Sequence, residues 1–302
     1  GSIGSSSNEL VLAFEEPWLF ERRLAFGFEL FRRETDFNST TYNELRTGIE
    51  LYLRKRLFGL INGQLAYSYE VVDLTDVIST APILIREEAL NSPRTVSKMT
   101  FTMWRDTRND LIFTTRGSRI SLTSAFAGIG GDTEYVKFEG RSAFFVPTFE
   151  FGDQVISLLG RFGSLWEYSD QDVPFFDRFY LGGPNSLRGF DYRDVGPISG
   201  REPIGGNSYG FASLEYSIKV ADPLRLAVFY DWGFVNEDDF DFNPASYNDN
   251  WGFGIRLLVL GNPLRLDFGI PITSSQILDE NGNVIFDSDT GNQFNFSFGT
   301  RF

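Results

Sequence analysis

Leu24-Ala25-Phe26-Gly27-Phe28-Glu29-Leu30 places apolar residues on every even position and small or charged ones on every odd position. A period of two is the repeat of a β-strand, whose successive side chains point to opposite faces of a sheet. The signature recurs outward along the chain. Thr47-Gly48-Ile49-Glu50-Leu51-Tyr52-Leu53 carries it on odd positions, with Arg46, Glu50 and Arg54 on the other face. Leu65, Tyr67, Tyr69 and Val71 alternate with Gln64, Ser68 and Glu70. Leu264, Leu266, Phe268 and Ile270 alternate with Arg265 and Asp267. The last segment, 293–302, sets Phe294, Phe296, Phe298 and Phe302 against Asn295, Ser297 and Arg301.

Roughly thirteen such segments are predicted, many about ten residues or longer, against a usual strand mean of ~5–6. They span about 8–15, 22–34, 42–55, 62–74, 95–106, 117–128 and 133–147, then 154–168, 206–219, 224–235, 249–260, 264–271 and 293–302. Tight turns alternate with long connections at 74–94, 169–205, 236–248 and 272–292, the asymmetry of an outer-membrane barrel. Strands of this length cross a bilayer when tilted. Charges recurring on the polar face suit a wet lumen. Trp18, Tyr42, Trp104, Trp166, Trp232 and Trp251, near strand ends, are expected in interfacial girdles. The competing architecture is a large soluble all-β protein, which would turn its apolar face inward.

Composition excludes several functions. The 302 residues include 32 Phe, 12 Tyr and 5 Trp but no Cys and no His. Without Cys there are no disulfides or thiolate metal sites. Without His there are no His-based triads or histidine switches. A formal net charge of −14 argues against a phosphate-tracking nucleic-acid surface. The opening Gly1-Ser2-Ile3-Gly4-Ser5-Ser6-Ser7 lacks the basic-then-apolar order of a signal peptide and reads as the start of a mature or truncated piece. The acidic run 237–241 and the stretch Asp279-Glu280-Asn281-Gly282-Asn283 read as solvated loops. The second lacks the bidentate Glu of a calcium loop, since Thr290 stands there. Neither metal nor cofactor is expected.

Tyr180-Leu181-Gly182-Gly183-Pro184-Asn185-Ser186-Leu187-Arg188-Gly189-Phe190 is dense in glycine and holds one arginine between apolar neighbours. Such a loop reads as one folded into a confined space, where close backbone approach favours Gly and a buried guanidinium needs anions. Strand parity offers partners. Glu215 lies opposite Leu214, Tyr216 and Ile218, and Phe229 and Asp231 fall on that same polar face two strands downstream. Arg188 can meet them through bidentate hydrogen bonds and cation–π contact. On spacing alone, Glu215 and Asp231 read equally well as ordinary solvated lumen charges.

Leu187-Arg188-Gly189-Phe190 resembles the (V/I/L)-R-G-(F/Y) loop motif of the outer-membrane assembly-factor superfamily, of which BamA is the central member. Phe229-Tyr230-Asp231-Trp232-Gly233 is similar to its F-x-D-x-G strand motif. Asp106-Thr107-Arg108 with Arg116-Gly117 resembles its D-x-R turn, with Thr115 near the usual proline. Glu15-Glu16-Pro17-Trp18-Leu19-Phe20 resembles a strand-end motif, and the Phe-rich terminus ending in Gly299 and Phe302 resembles the β-signal.

The resemblance implies a transmembrane antiparallel β-barrel of the 16-strand type, with about 13–14 strands present here. It implies that 1–302 is the C-terminal outer-membrane barrel domain, with 169–205 folded into the lumen against Glu215, Phe229 and Asp231. It also implies that POTRA domains and the first barrel strands lie outside this sequence. The implied activity is non-enzymatic: assembly of outer-membrane proteins through a weak first–last strand seam, of which Phe294, Phe296, Phe298, Gly299 and Phe302 supply one side. Its implied partners are the lipid bilayer of a bacterial outer membrane, nascent outer-membrane proteins, periplasmic lipoprotein subunits and chaperones. The alternatives are a TamA-like translocation factor, a two-partner secretion transporter or a diffusion porin. A barrel phospholipase or protease would need a His base, which the chain lacks.

Overall fold

Alternation becomes strand along almost the whole chain. The computed structural model describes residues 6–36, 42–79, 81–149, 153–169, 173–200, 202–259, 261–278 and 284–301. β1 (Ser6–Glu16), β2 (Leu24–Asp36), β3 (Asn43–Phe58) and β4 (Ile61–Thr75) lead to a helix, α1 (Ile83–Leu90). β5 (Arg94–Asp106), β6 (Gly117–Ala127), β7 (Tyr135–Pro147) and β8 (Val155–Glu167) follow. A long excursion holds the short β9 (Ile198–Ser199) and β10 (Glu202–Pro203). Beyond it run β11 (Ser208–Ala221), β12 (Leu224–Asn236), β13 (Asn248–Val259) and β14 (Asn262–Thr273). A small hairpin, β15 (Gln276–Leu278) with β16 (Val284–Asp287), precedes β17 (Gln293–Phe298).

Thirteen strands form one antiparallel sheet in chain order, β1 to β8, then β11 to β14, then β17. Among the described residues β1 and β17 are its two edges. The sheet curls on itself. The β5–β6 turn residues Leu111–Thr114 share a cavity with Pro263, Leu264 and Arg265 at the start of β14. Arg161 on β8 donates to the Arg301 carbonyl beyond β17 at 2.9 Å.

Its polarity rules out the soluble alternative. Leu214, Val228, Phe253 and Phe296 stand exposed on the convex side, while Ser213, Asp231, Arg256 and Asp267 on the other face are buried. No described helix is long and apolar enough to cross a membrane. An apolar outside around a charged inside is the arrangement of a transmembrane barrel.

The interior is filled by loops. Phe179, Leu181, Leu187, Phe190 and Val195 of the excursion pack on Leu159, Tyr209, Phe211 and Val235 of the sheet. At the long-loop end, Phe175 and Phe176 join Tyr42, Val72, Val96 and Ile85 of α1. Two expectations are corrected here. Tyr42 is not in an outer girdle: it points inward, edge-on to the Phe175 ring at 5.1 Å between centroids. The terminal strand does not run to 302: it stops at Phe298, because Gly299 adopts φ +92° and turns the chain into the lumen. Phe302 lies outside the described residues.

Candidate functional site

The excursion after β8 closes into a knot of tight turns around Gly183. Its N–H donates to the carbonyls of Leu187 (3.1 Å) and Phe190 (3.0 Å), and Ser186 N–H donates back to Gly183 O at 3.1 Å. Ser186 Oγ accepts from Gly182 N–H and donates to Gly182 O, both at 2.9 Å. Gly182 sits at φ +108°, and a Cβ there would meet Asp191 O at 2.1 Å. Only glycine fits that position.

This knot delivers Arg188 to the inner wall, where it is 0% exposed. Its Nε and Nη2 each donate to Asp231 at 2.8 Å, a bidentate pair. Nη1 donates to Glu215 Oε2 at 2.7 Å, and Nη2 reaches Ser213 Oγ at 3.3 Å. The guanidinium carbon stands 3.3 Å from the Phe229 ring centroid, in stacked cation–π contact. Thus Arg188, Glu215, Phe229 and Asp231 meet, with Leu187 and Phe190 buried alongside. Gly189 backs onto Asn250, whose Cβ a methyl would meet at 2.5 Å.

The parity argument had not picked out five further members. Asp267 on β14 is fully buried 3.5 Å from Arg188. Arg256 on β13 bridges Glu215 (2.8 Å) and Asp267 (2.7 Å). Arg301, brought inward by Gly299, donates to Ser213 Oγ at 3.1 Å and Ser186 O at 2.9 Å and approaches Asp231 at 3.7 Å. Asn250 donates to Asp231 at 3.2 Å. Asn295 on β17 donates to the Arg188 carbonyl at 2.7 Å. Asp267, Arg301 and Asn295 all stand on polar faces legible in the sequence. What alternation omits is how deep the loop descends.

A second anchorage holds the loop's entry. Asp177 meets Arg46 of β3 at 3.4 Å and accepts from Tyr135 of β7 at 3.1 Å. Its carbonyl accepts from Lys137 at 2.7 Å. Arg193 stacks on Tyr180 at 3.8 Å and lies 3.7 Å from Glu44. Further along, burial first and then neighbouring Asp191 push the Asp194 carboxyl up to about 7. Burial and then Asp194 do the same for Glu202, also to about 7.

At the seam end, Phe294, Phe296 and Phe298 all project outward, Phe298 at 63% exposure. β17 pairs with β14 over Gln293–Phe298 only, although β14 has 12 residues. The metal-loop stretch 279–283 lies outside the described residues. In the other acidic run, Asp241 N–H donates to Ser208 Oγ (3.1 Å) and Asp238 O accepts from the same hydroxyl (2.7 Å), which ties the loop to the start of β11.

Comparison with known proteins places this geometry. BamA from Haemophilus ducreyi lacking POTRA domains 1–3 superposes with a TM-score of 0.78 over 97% of this chain and 62% of that one, at 20% identity. CdiB from Escherichia coli superposes more loosely, at a TM-score of 0.59 and 13% identity over 97% of this chain and 52% of that one. By sequence, the chain is 28% identical to the outer membrane protein assembly factor BamA of Nitratidesulfovibrio vulgaris, over 88% of its own length and 34% of that protein's. It is 24% identical to a SAM50-like protein of Drosophila melanogaster, over 90% of its own length and 64% of that protein's. The chain therefore spans about a third of one relative and under two thirds of the other. The Omp85 superfamily domain matches residues 1–302, from first to last. This chain belongs to the Omp85 superfamily.

Proposed function

We propose that this chain is the barrel of an assembly factor that inserts β-barrel proteins into a bacterial outer membrane. One observation carries the reading: among the described residues the terminal strand β17 pairs with the 12-residue β14 over six residues only, a short hold from which a strand edge is readily freed. An unpaired strand edge is a template for another strand. An incoming polypeptide adds its own strand there, and main-chain hydrogen bonds supply the affinity. No covalent bond changes and no cofactor takes part. Periplasmic lipoprotein subunits and chaperones are the partners that would deliver the substrate. The filled lumen weighs against the porin reading, since Arg188 and its loop occupy the path a solute would take.

The test uses the full-length protein in phospholipid vesicles, with insertion of a urea-denatured small barrel followed by protease protection. Faster insertion than into protein-free vesicles is expected. An unchanged rate, or large single-channel conductance from the vesicles, overturns the reading.

A further inference from the structure

The short-turn end of the lumen holds more buried positive charge than its carboxylates neutralise. A cavity of about 90 Å³ there is lined by Arg225, Arg256, Arg265 and Arg301, with Glu215 as its lining carboxylate. These arginines are between 5% and 8% exposed. Adjoining them, Arg188 shares Glu215 and Asp231, while Asp267 is held by Arg256. Among the described residues, five guanidiniums thus face three buried or part-buried carboxylates; Asp153, whose carbonyl Arg225 reaches, keeps its carboxylate exposed beside Lys219. Among the described residues, Arg225 and Arg265 form no ion pair.

The donors of Arg265 show the same excess. Nη2 donates to Asn185 Oδ1 at 2.8 Å, but Nε and Nη1 are buried without a hydrogen-bond partner, as is Nε of Arg301. A guanidinium cannot shed its proton to escape burial. An uncompensated buried charge is costly, and an orphaned buried N–H adds to that cost. Arg141, elsewhere in the lumen, is largely exposed and paired with Glu139.

We propose that this cavity is a binding site for one small, water-soluble oxyanion of the phosphate class. Planar guanidinium forks match tetrahedral and carboxylate oxygens in bidentate fashion, and an anion carrying one or two charges would cancel the excess. The space is several times what one water needs. A membrane lipid does not fit. Leu111, Ile112, Phe113 and Thr114 of the β5–β6 turn form part of the cavity wall, on the inner side of a sheet whose lipid-facing surface is the other one. This inference is independent of the assembly role proposed above.

The test is calorimetric titration of inorganic phosphate into the full-length protein in zwitterionic detergent micelles, with ionic strength held constant by chloride. Saturable binding of one phosphate per chain is expected. Arg265→Gln and Arg225→Gln each weaken it at least tenfold, while Arg119→Gln, outside the cavity, leaves it unchanged. Absence of saturable phosphate binding by the unmutated protein overturns the proposal without reference to any variant. So does undiminished affinity in a folded Arg265→Gln or Arg225→Gln protein. So does stabilisation by phosphatidylglycerol vesicles with none by phosphate.

Discussion

Arg188 owes its position to two different kinds of contact, and they separate by mutation. Arg188→Ala leaves Asp231, itself 0% exposed, with the neutral donors Ser213 and Asn250 and only the more distant Arg301 as a cation. Loss of one partner of a buried pair costs ~3–5 kcal/mol. The expected outcome is a released loop, seen as a lower unfolding temperature by heat-modifiable gel mobility. Phe229→Leu keeps most of the volume and removes the ring face, so it should cost about 1–2 kcal/mol, the range of a desolvated cation–π contact. Equal shifts from the two variants would contradict this ranking. Parity along two strands sets Glu215, Phe229 and Asp231 on one face but leaves them equally open to a solvated reading; the loop-motif resemblance is what directs Arg188 to them. Arg256 and Arg301 escaped because alternation gives a side chain's face, whereas their contacts depend on strand stagger and on the inward turn at Gly299.

Between elements, fit depends on what is missing from the strands. A Cβ on Gly269 of β14 would meet the Arg188 carbonyl at 2.3 Å, and one on Gly252 of β13 would meet the Phe229 ring at 2.5 Å. Gly269→Ala should therefore unseat the loop while leaving the β13–β14 ladder intact, as protease cleavage within 173–200 and unchanged β-sheet circular dichroism would report. The loop also carries a pH dependence. Asp194 and Glu202 titrate near 7 in the folded loop against ~3.9 and ~4.3 for free carboxyls. A raised acid pKa means the folded state binds the proton more tightly. The stabilisation is complete below pH ~4 and fades as pH rises through 7. Hydrogen-exchange protection factors across 191–200, taken relative to the intrinsic base-catalysed rate, should accordingly rise between pH 8 and pH 5.5, and Asp194→Asn should flatten that profile. The strands were legible because a period-two pattern repeats over long runs. Helix α1 was not, since eight residues in a loop offer two turns of pattern, and its place is fixed by Ile85 meeting Phe175 from a distant segment.

For the molecule as a whole, the inverted polarity is what makes a bilayer necessary. Val228, midway along β12 and paired with Tyr216 and Phe253, is 53% exposed on the convex side. Val228→Lys should lower stability by about 2–4 kcal/mol near the bilayer midplane. Urea titration in phospholipid vesicles measures this, and a loss below ~0.5 kcal/mol would place that face in water. The sequence suggested this inversion through its charged second face, but alternation by itself is symmetric between the two faces. The loops that bury the charged side decide between them.

The bond from Asn295 to the Arg188 carbonyl has a consequence for the edge of the sheet. With Arg301 held by Ser186 and Ser213, it joins the outermost strand and the deepest arginine in one hydrogen-bonded unit. Peeling that strand away must strip the plug of its tether, and a plug that lifts must loosen the strand by an equal free energy. The barrel thus has a latch whose two ends, one facing lipid and one facing the axis, cannot be released independently.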